Sequence, residues 1–291
     1  MPSYITHAIF GRELHKEFNN INKNRVIDNN YISKYALGPD LSRFTDSYEA
    51  THREKTKEFL MAMIWYIKEN KLDNNPQTLG KLFGHISHYF LDINIHPLVY
   101  YNALGCETVG MISPHTLIES YLDEYFRVKK KLNDVRLLKD FKVNEEDSKV
   151  ISEAYDLIYK EGKIISSMRK SLIILANLEL LAIKLPKELL IKIARFNEFL
   201  DVNALTRDEI LNSNYGEWLN PMTGKVCYKS MDEMYIDALN QTLEAMVIIS
   251  NYFDNKVDII TIEKLFHGLS YNTGVDWRLG QDMKHVRKIV K

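Results

Sequence analysis

The stretch Gly84-His85-Ile86-Ser87-His88-Tyr89-Phe90-Leu91-Asp92-Ile93-Asn94-Ile95-His96-Pro97 sets three imidazoles and one carboxylate along a single helical stripe. At about 100° per residue, His88, Asp92 and His96 fall roughly 300°, 340° and 20° around the axis from His85. The positions between and before them, Leu82, Phe83, Ile86, Tyr89, Phe90, Leu91, Ile93 and Ile95, are apolar. The pattern therefore predicts a helix from about Gln77 to Ile95 that is buried on most sides and stopped by Pro97, with His96 at its frayed end. Ionisable groups on such a helix are costly unless they are paired or bound to a metal. Shared metal ligation is favoured here over a satisfied core network.

Working outward, apolar residues recur at three- and four-residue spacing through most of the chain, the helical signature. Helices are predicted over Ile5–Phe18, over Ser47–Glu69 with Asp46 as N-cap, from Pro114 to about Leu138, over Met231–Phe253 and over Thr261–Leu269, with two or three more within Glu146–Phe199. Asn19–Pro39 reads as a polar loop with short helical turns, and Asn212–Ser230 as a long irregular connection. With only 12 Gly and 7 Pro, a turn-rich all-β design is disfavoured. The expectation is an all-α protein, a single multi-helix domain spanning residues 1–291.

The formal net charge of -1 provides no basic excess for binding nucleic acid. The short basic run Arg127, Lys129, Lys130 and Lys131 reads as a solvated helix face. Cys106 and Cys227 make no disulfide framework. The start Met1-Pro2-Ser3-Tyr4 shows no signal peptide, and Ser171–Leu185 is too short and polar to span a bilayer, so a cytoplasmic location is expected.

Seven of the nine histidines lie in the first 115 residues, against about three and a half for an even scatter. His115 and Glu119, four apart, share a face of the next helix. His52 lies on a third helix, Asp40 ends the Gly-Pro turn Ala36-Leu37-Gly38-Pro39-Asp40, and His7 lies near the amino terminus. Each alone is more often structural. Together, His7, Asp40, His52, His88, Asp92, His96, His115 and Glu119 offer five imidazoles and three carboxylates, a donor set that suits zinc. That exceeds one tetrahedral site. Two or three zinc ions sharing a carboxylate would use the set fully, and Asp92, central in its stripe, is the best bridge.

The order His7, Asp40, His52, His88-x3-Asp92 with His96, then His115-x3-Glu119, resembles the bacterial zinc-dependent phospholipase C family over the first 120 residues. The resemblance implies a single all-α domain with a trinuclear zinc site in a cleft. It further implies one zinc on His52, His88 and Asp92 with Asp40 alongside, and a second on His96, His115 and Glu119. A third would take His7, the other oxygen of Asp92 and the amino-terminal residue. This chain departs from the pattern in three ways. Its first residues carry no Trp, His96 follows Asp92 more closely, and His85 has no ligand role, which places it in the second shell of the site. No β-rich membrane-targeting domain follows the helical part.

The chemistry so implied is phosphodiester hydrolysis of a phospholipid headgroup ester, with transient contact to a membrane surface. Asp40 is the candidate to orient or deprotonate the attacking water. Two other readings stay open. One is a zinc-dependent nuclease on single-stranded nucleic acid, disfavoured by the charge balance. The other is a non-enzymatic helical protein with structural zinc. HD-type metal phosphohydrolases are disfavoured because the chain contains no His-Asp dipeptide.

Overall fold

The computed structural model describes residues 4–132, 136–138, 143, 148–184 and 195–287. Its framework is the helix that carries the histidine stripe, α5 (Pro76–Ala103). Asn75 caps it by accepting from the backbone N–H groups of Gln77 and Thr78, both at 3.0 Å, and Pro76 opens the first turn. Before it come α1 (Tyr4–Ile21), α2 (Asn29–Tyr35), a 3-10 turn (Gly38–Ser42), α3 (Tyr48–Arg53) and α4 (Thr56–Glu69). After it come α6 (Pro114–Lys129), α7 (Lys149–Tyr159), α8 (Ile164–Lys184), α9 (Phe196–Val202), α10 (Arg207–Leu211), α11 (Met231–Phe253) and α12 (Ile259–Glu263). Two two-residue strands, β1 (Trp218–Leu219) and β2 (Val226–Cys227), pair antiparallel with Trp218 opposite Cys227. The fold is all-α, as the periodicity indicates.

Helix α5 lies in the middle because it is apolar on nearly every face. It packs most extensively against α2 and α11, and also against α1, α4 and α6. The buried apolar side chains form one cluster from Tyr4 through Phe83 and Met246 to Tyr271. Asp123 of α6 fixes the entry of α1. Its carboxylate accepts from Thr6 N at 2.7 Å, Thr6 Oγ1 at 2.8 Å and Ile5 N at 3.3 Å. Burial, together with the nearby Glu119 charge, still pushes this carboxyl up to about 7. Among the described residues, no helix is long and apolar enough to cross a membrane.

Several elements differ from the sequence expectation, each for a tertiary reason. Pro97 does not stop α5; the helix runs six residues further, to Ala103. The proline leaves the Ile93 carbonyl without its helical donor, and Gly274 lies so close to that carbonyl that a Cβ there would sit 2.5 Å from it. His96 is therefore held inside the helix. The helix expected over Ser47–Glu69 is two, α3 and α4, broken where Glu54 is extended and Lys55 is left-handed (φ 53°). The break is closed from outside: the Tyr271 N–H donates to the His52 carbonyl at 3.1 Å, and Thr56 Oγ1 donates to the Leu269 carbonyl at 2.8 Å. Ser47, not Asp46, precedes α3, and neither side chain caps it. Helix α6 ends at Lys129, where Lys131 turns left-handed (φ 57°) and the Leu132 N–H closes on the Arg127 carbonyl. Helix α12 spans Ile259–Glu263 and ends before Leu269.

The run from Arg127 to Lys131 is not wholly a solvated face. Arg127 is buried and pairs with Glu179 of α8 at 3.1 Å, while Lys129 and Lys130 reach Asp232 and Glu13. Part of the Glu146–Phe199 segment lies outside the described residues.

Candidate metal centre

All eight candidate ligands converge. A cleft of about 250 Å³ is lined by seven of them, His7, Asp40, His52, Asp92, His96, His115 and Glu119, and His88 lies directly behind Asp92. The two carboxylates on α5 and α6 organise the set. Asp92 holds His7 Nε2 at 3.0 Å from Oδ1 and His88 Nε2 at 2.9 Å from Oδ2, and His96 Nδ1 lies 3.5 Å from Oδ2. Glu119 Oε1 is 3.1 Å from both His96 Nε2 and His115 Nε2. Asp40 Oδ1 is 3.2 Å from His52 Nε2. Two groups of donor atoms result, each drawn together within 4.8 Å: His7, His88 and Asp92, then His96, His115 and Glu119. The second is the set that the family resemblance implies. In the first, His88 stacks on His7 (ring centroids 4.2 Å apart), whereas its ring is 6.3 Å from that of His52. The amino-terminal residue lies outside the described residues.

The orientation of the rings tells what they are for. His88 Nδ1 faces the Ala36 carbonyl at 3.0 Å, His52 Nδ1 the Tyr48 carbonyl at 3.0 Å, and His96 Nδ1 the Tyr271 carbonyl at 2.8 Å. A carbonyl only accepts, so each Nδ1 carries a proton, and each ring turns its Nε2 toward a carboxylate. A nitrogen and a carboxylate oxygen facing each other near 3 Å need positive charge between them, from a proton on Nε2 or from a metal ion in its place. His88 Nε2, Asp92 Oδ1 and Asp40 Oδ2 are buried without a hydrogen bond. Two ligand atoms on one zinc, each ~2.1 Å from it, would be ~3.4 Å apart, close to the separations here. The residues present therefore fit divalent zinc.

Electrostatics agrees. Burial alone would raise the Asp92 carboxyl, but His88, His96 and His7 hold it well below the usual carboxylate range. Glu119 is likewise lowered against its burial, by His115 and His96. Burial lowers His96, yet Asp92 and Glu119 outweigh it and push the ring up to about 10. The carboxylates demand cationic partners, and a metal ion satisfies that demand with release of protons.

Gly38 lets the Asp40 turn approach. Its φ is +47°, and a Cβ would lie 2.6 Å from His88 Cγ. Gly38→Ala is expected to cost about 2–4 kcal/mol from left-handed strain plus overpacking. Denaturant unfolding should show that loss together with reduced zinc content; an unchanged midpoint would mean the contact is not tight.

His85 is the one stripe member left out. It lies seven residues before Asp92, ~10 Å along the axis. Its Nδ1 meets the Lys81 carbonyl at 2.9 Å, and its ring sits between Tyr35 and Phe59. Burial pushes it down to about 4, so it is neutral. Sequence reasoning missed the other cleft residues, Arg43, Tyr48, Arg53, Tyr100 and Asn272, and the ring-orienting carbonyls of Ala36 and Tyr271. Backbone groups leave no residue-type signal.

Searches of curated proteins and of solved structures give no significant match. The family model for zinc-dependent phospholipase C matches residues 6–177, which include every ligand candidate and more than half of the chain. With imidazoles and carboxylates from α1, α3, α5 and α6 and from the Gly38–Ser42 turn gathered at one cleft, the chain belongs to the zinc-dependent phospholipase C family.

Proposed function

We propose that this protein hydrolyses phosphodiesters, cleaving the headgroup ester of a phospholipid by a metal-activated water. The observation that carries the reading is the set of Nε2 atoms aimed at carboxylate oxygens, buried yet opening on a cleft. His88 and Asp92 with His7, the His52–Asp40 pair beside them, and His96, His115 and Glu119 would hold two or three zinc ions. Zinc bound here supplies Lewis-acid charge for the phosphate and a water of lowered pKa. Asp40 holds His52 through Oδ1, and its Oδ2 is buried without a partner, placed to accept a proton from that water. The His88, His52 and His96 rings are fixed by the backbone carbonyls, so the donor geometry is built before substrate arrives. The cleft lining includes no Ser, Cys or Lys among the described residues, consistent with attack by water. The single apolar cluster running from α1 to Tyr271 supports one helical domain.

Metal analysis should find two or more zinc ions per chain. Choline-, ethanolamine- or inositol-linked lipids should release headgroup, chelation should abolish this with helicity retained, and zinc should restore it. Preferential cleavage of single-stranded DNA would make the protein a nuclease. Unfolding on chelation, with no ester cleaved before it, would make the zinc structural.

A further inference from the structure

The cleft wall beside Asp40 carries charge that the metal set does not use. Arg43 directly follows the Gly38–Ser42 turn, three residues after Asp40, and lines the cleft. Its guanidinium charge acts on the Tyr48 phenol, which lines the same cleft and whose ring meets that of His52 edge-on at 4.6 Å. Arg43 is thus placed on the Asp40–His52 side of the cleft. No carboxylate lies within ion-pair reach of it among the described residues. The second cleft arginine, Arg53, pairs with Glu49 at 2.7 Å. Every carboxylate lining the cleft is therefore committed: Asp40, Asp92 and Glu119 to imidazoles, and Glu49 to Arg53. Each cleft carboxylate thus faces a basic side chain, whereas the Arg43 guanidinium faces no carboxylate among the described residues.

We infer that Arg43 selects substrates whose headgroup alcohol, the one that stays on the phosphate when the glycerol ester is cleaved, bears an anionic group, a carboxylate or a second phosphate, over cationic headgroups. This rests on the phosphodiesterase reading and assigns its substrate class. Guanidinium recognises a carboxylate or phosphate through parallel N–H donors in a planar fork. Discrimination comes equally from repulsion, since a trimethylammonium group would approach an uncompensated cation. The anionic alcohol can be presented by a membrane lipid or by a soluble diester; the chemistry at Arg43 is the same.

The test uses the full-length, zinc-loaded protein and three phosphomonoester product analogues of similar size: phosphoglycolate, phosphoethanolamine and phosphocholine. All three share the phosphate that the metals would bind, so differences report on the alcohol subsite. Calorimetry should show phosphoglycolate binding at least tenfold more tightly than phosphocholine. In Arg43→Gln that ratio should fall below threefold, and Arg43→Lys should restore part of it. Phosphocholine bound as tightly as phosphoglycolate, held on Tyr48 and Tyr100, would overturn the inference. So would an Arg43→Gln variant that weakens all three equally, which would place Arg43 on the phosphate itself. Parallel rates on micellar phosphatidylserine and soluble glycerophosphoserine tell lipid from free diester. Failure to cleave any diester counts against the enzyme assignment, while the binding ratio still decides the headgroup preference.

Discussion

Asp92→Asn is expected to remove at least one zinc ion per chain and to lower turnover by ~10³-fold, the rate equivalent of several kcal/mol of lost transition-state charge stabilisation. The substitution keeps the shape of the side chain and removes its charge. Among the described residues, Asp92 is the only carboxylate touching three candidate ligands, His7, His88 and His96. An amide presents one acceptor oxygen and a donor face in place of two equivalent oxygens, so it cannot serve both sides. Metal analysis of the purified variant beside headgroup release is the measurement. A variant with full zinc and turnover within threefold of the parent would show that Asp92 does not bridge the two groups.

Asp40→Asn should separate holding metal from moving protons. Its Oδ1 already serves His52, and an asparagine oxygen can take over that contact. The Oδ2 position, buried and unpartnered, would carry an amide NH2 instead and could no longer take a proton from water. A general base contributes about 10²–10⁴-fold, so kcat should fall within that range while most of the zinc remains. Burial would raise this carboxyl, but His52 first, then His88 and His7, bring it below its ordinary value. Asp40 is therefore ionised at neutral pH, and activity should decline as acid protonates it. Turnover unchanged by Asp40→Asn would move the base to another group.

Much of the centre was legible because its donors are side chains on regular elements. The i, i+4 spacing of His88, Asp92 and His96 survives folding because α5 is one continuous helix, and the same holds for His115 and Glu119 on α6. The resemblance to the family supplied Asp40, His52 and His7 from the sequence, where spacing alone had no power. His85 shows the limit of angular reasoning, since it lies on the right face but two turns too low. Pro97 shows the limit of local rules: the proline is accommodated inside α5, with Gly274 from the far end of the chain packed against the carbonyl it frees. The break at Glu54 and Lys55 was invisible because its compensating partners, Leu269 and Tyr271, lie more than two hundred residues away. Arg43 looked like any surface arginine until the turn at Gly38 brought it into the cleft.

The Tyr271 carbonyl orients His96 across 175 residues of chain, and the same residue's N–H secures His52. The amino-terminal part carries every candidate ligand but lacks the clasp that aims two of them. His96 and His52 are therefore held in their observed orientation only when the segment around Tyr271 has closed over them.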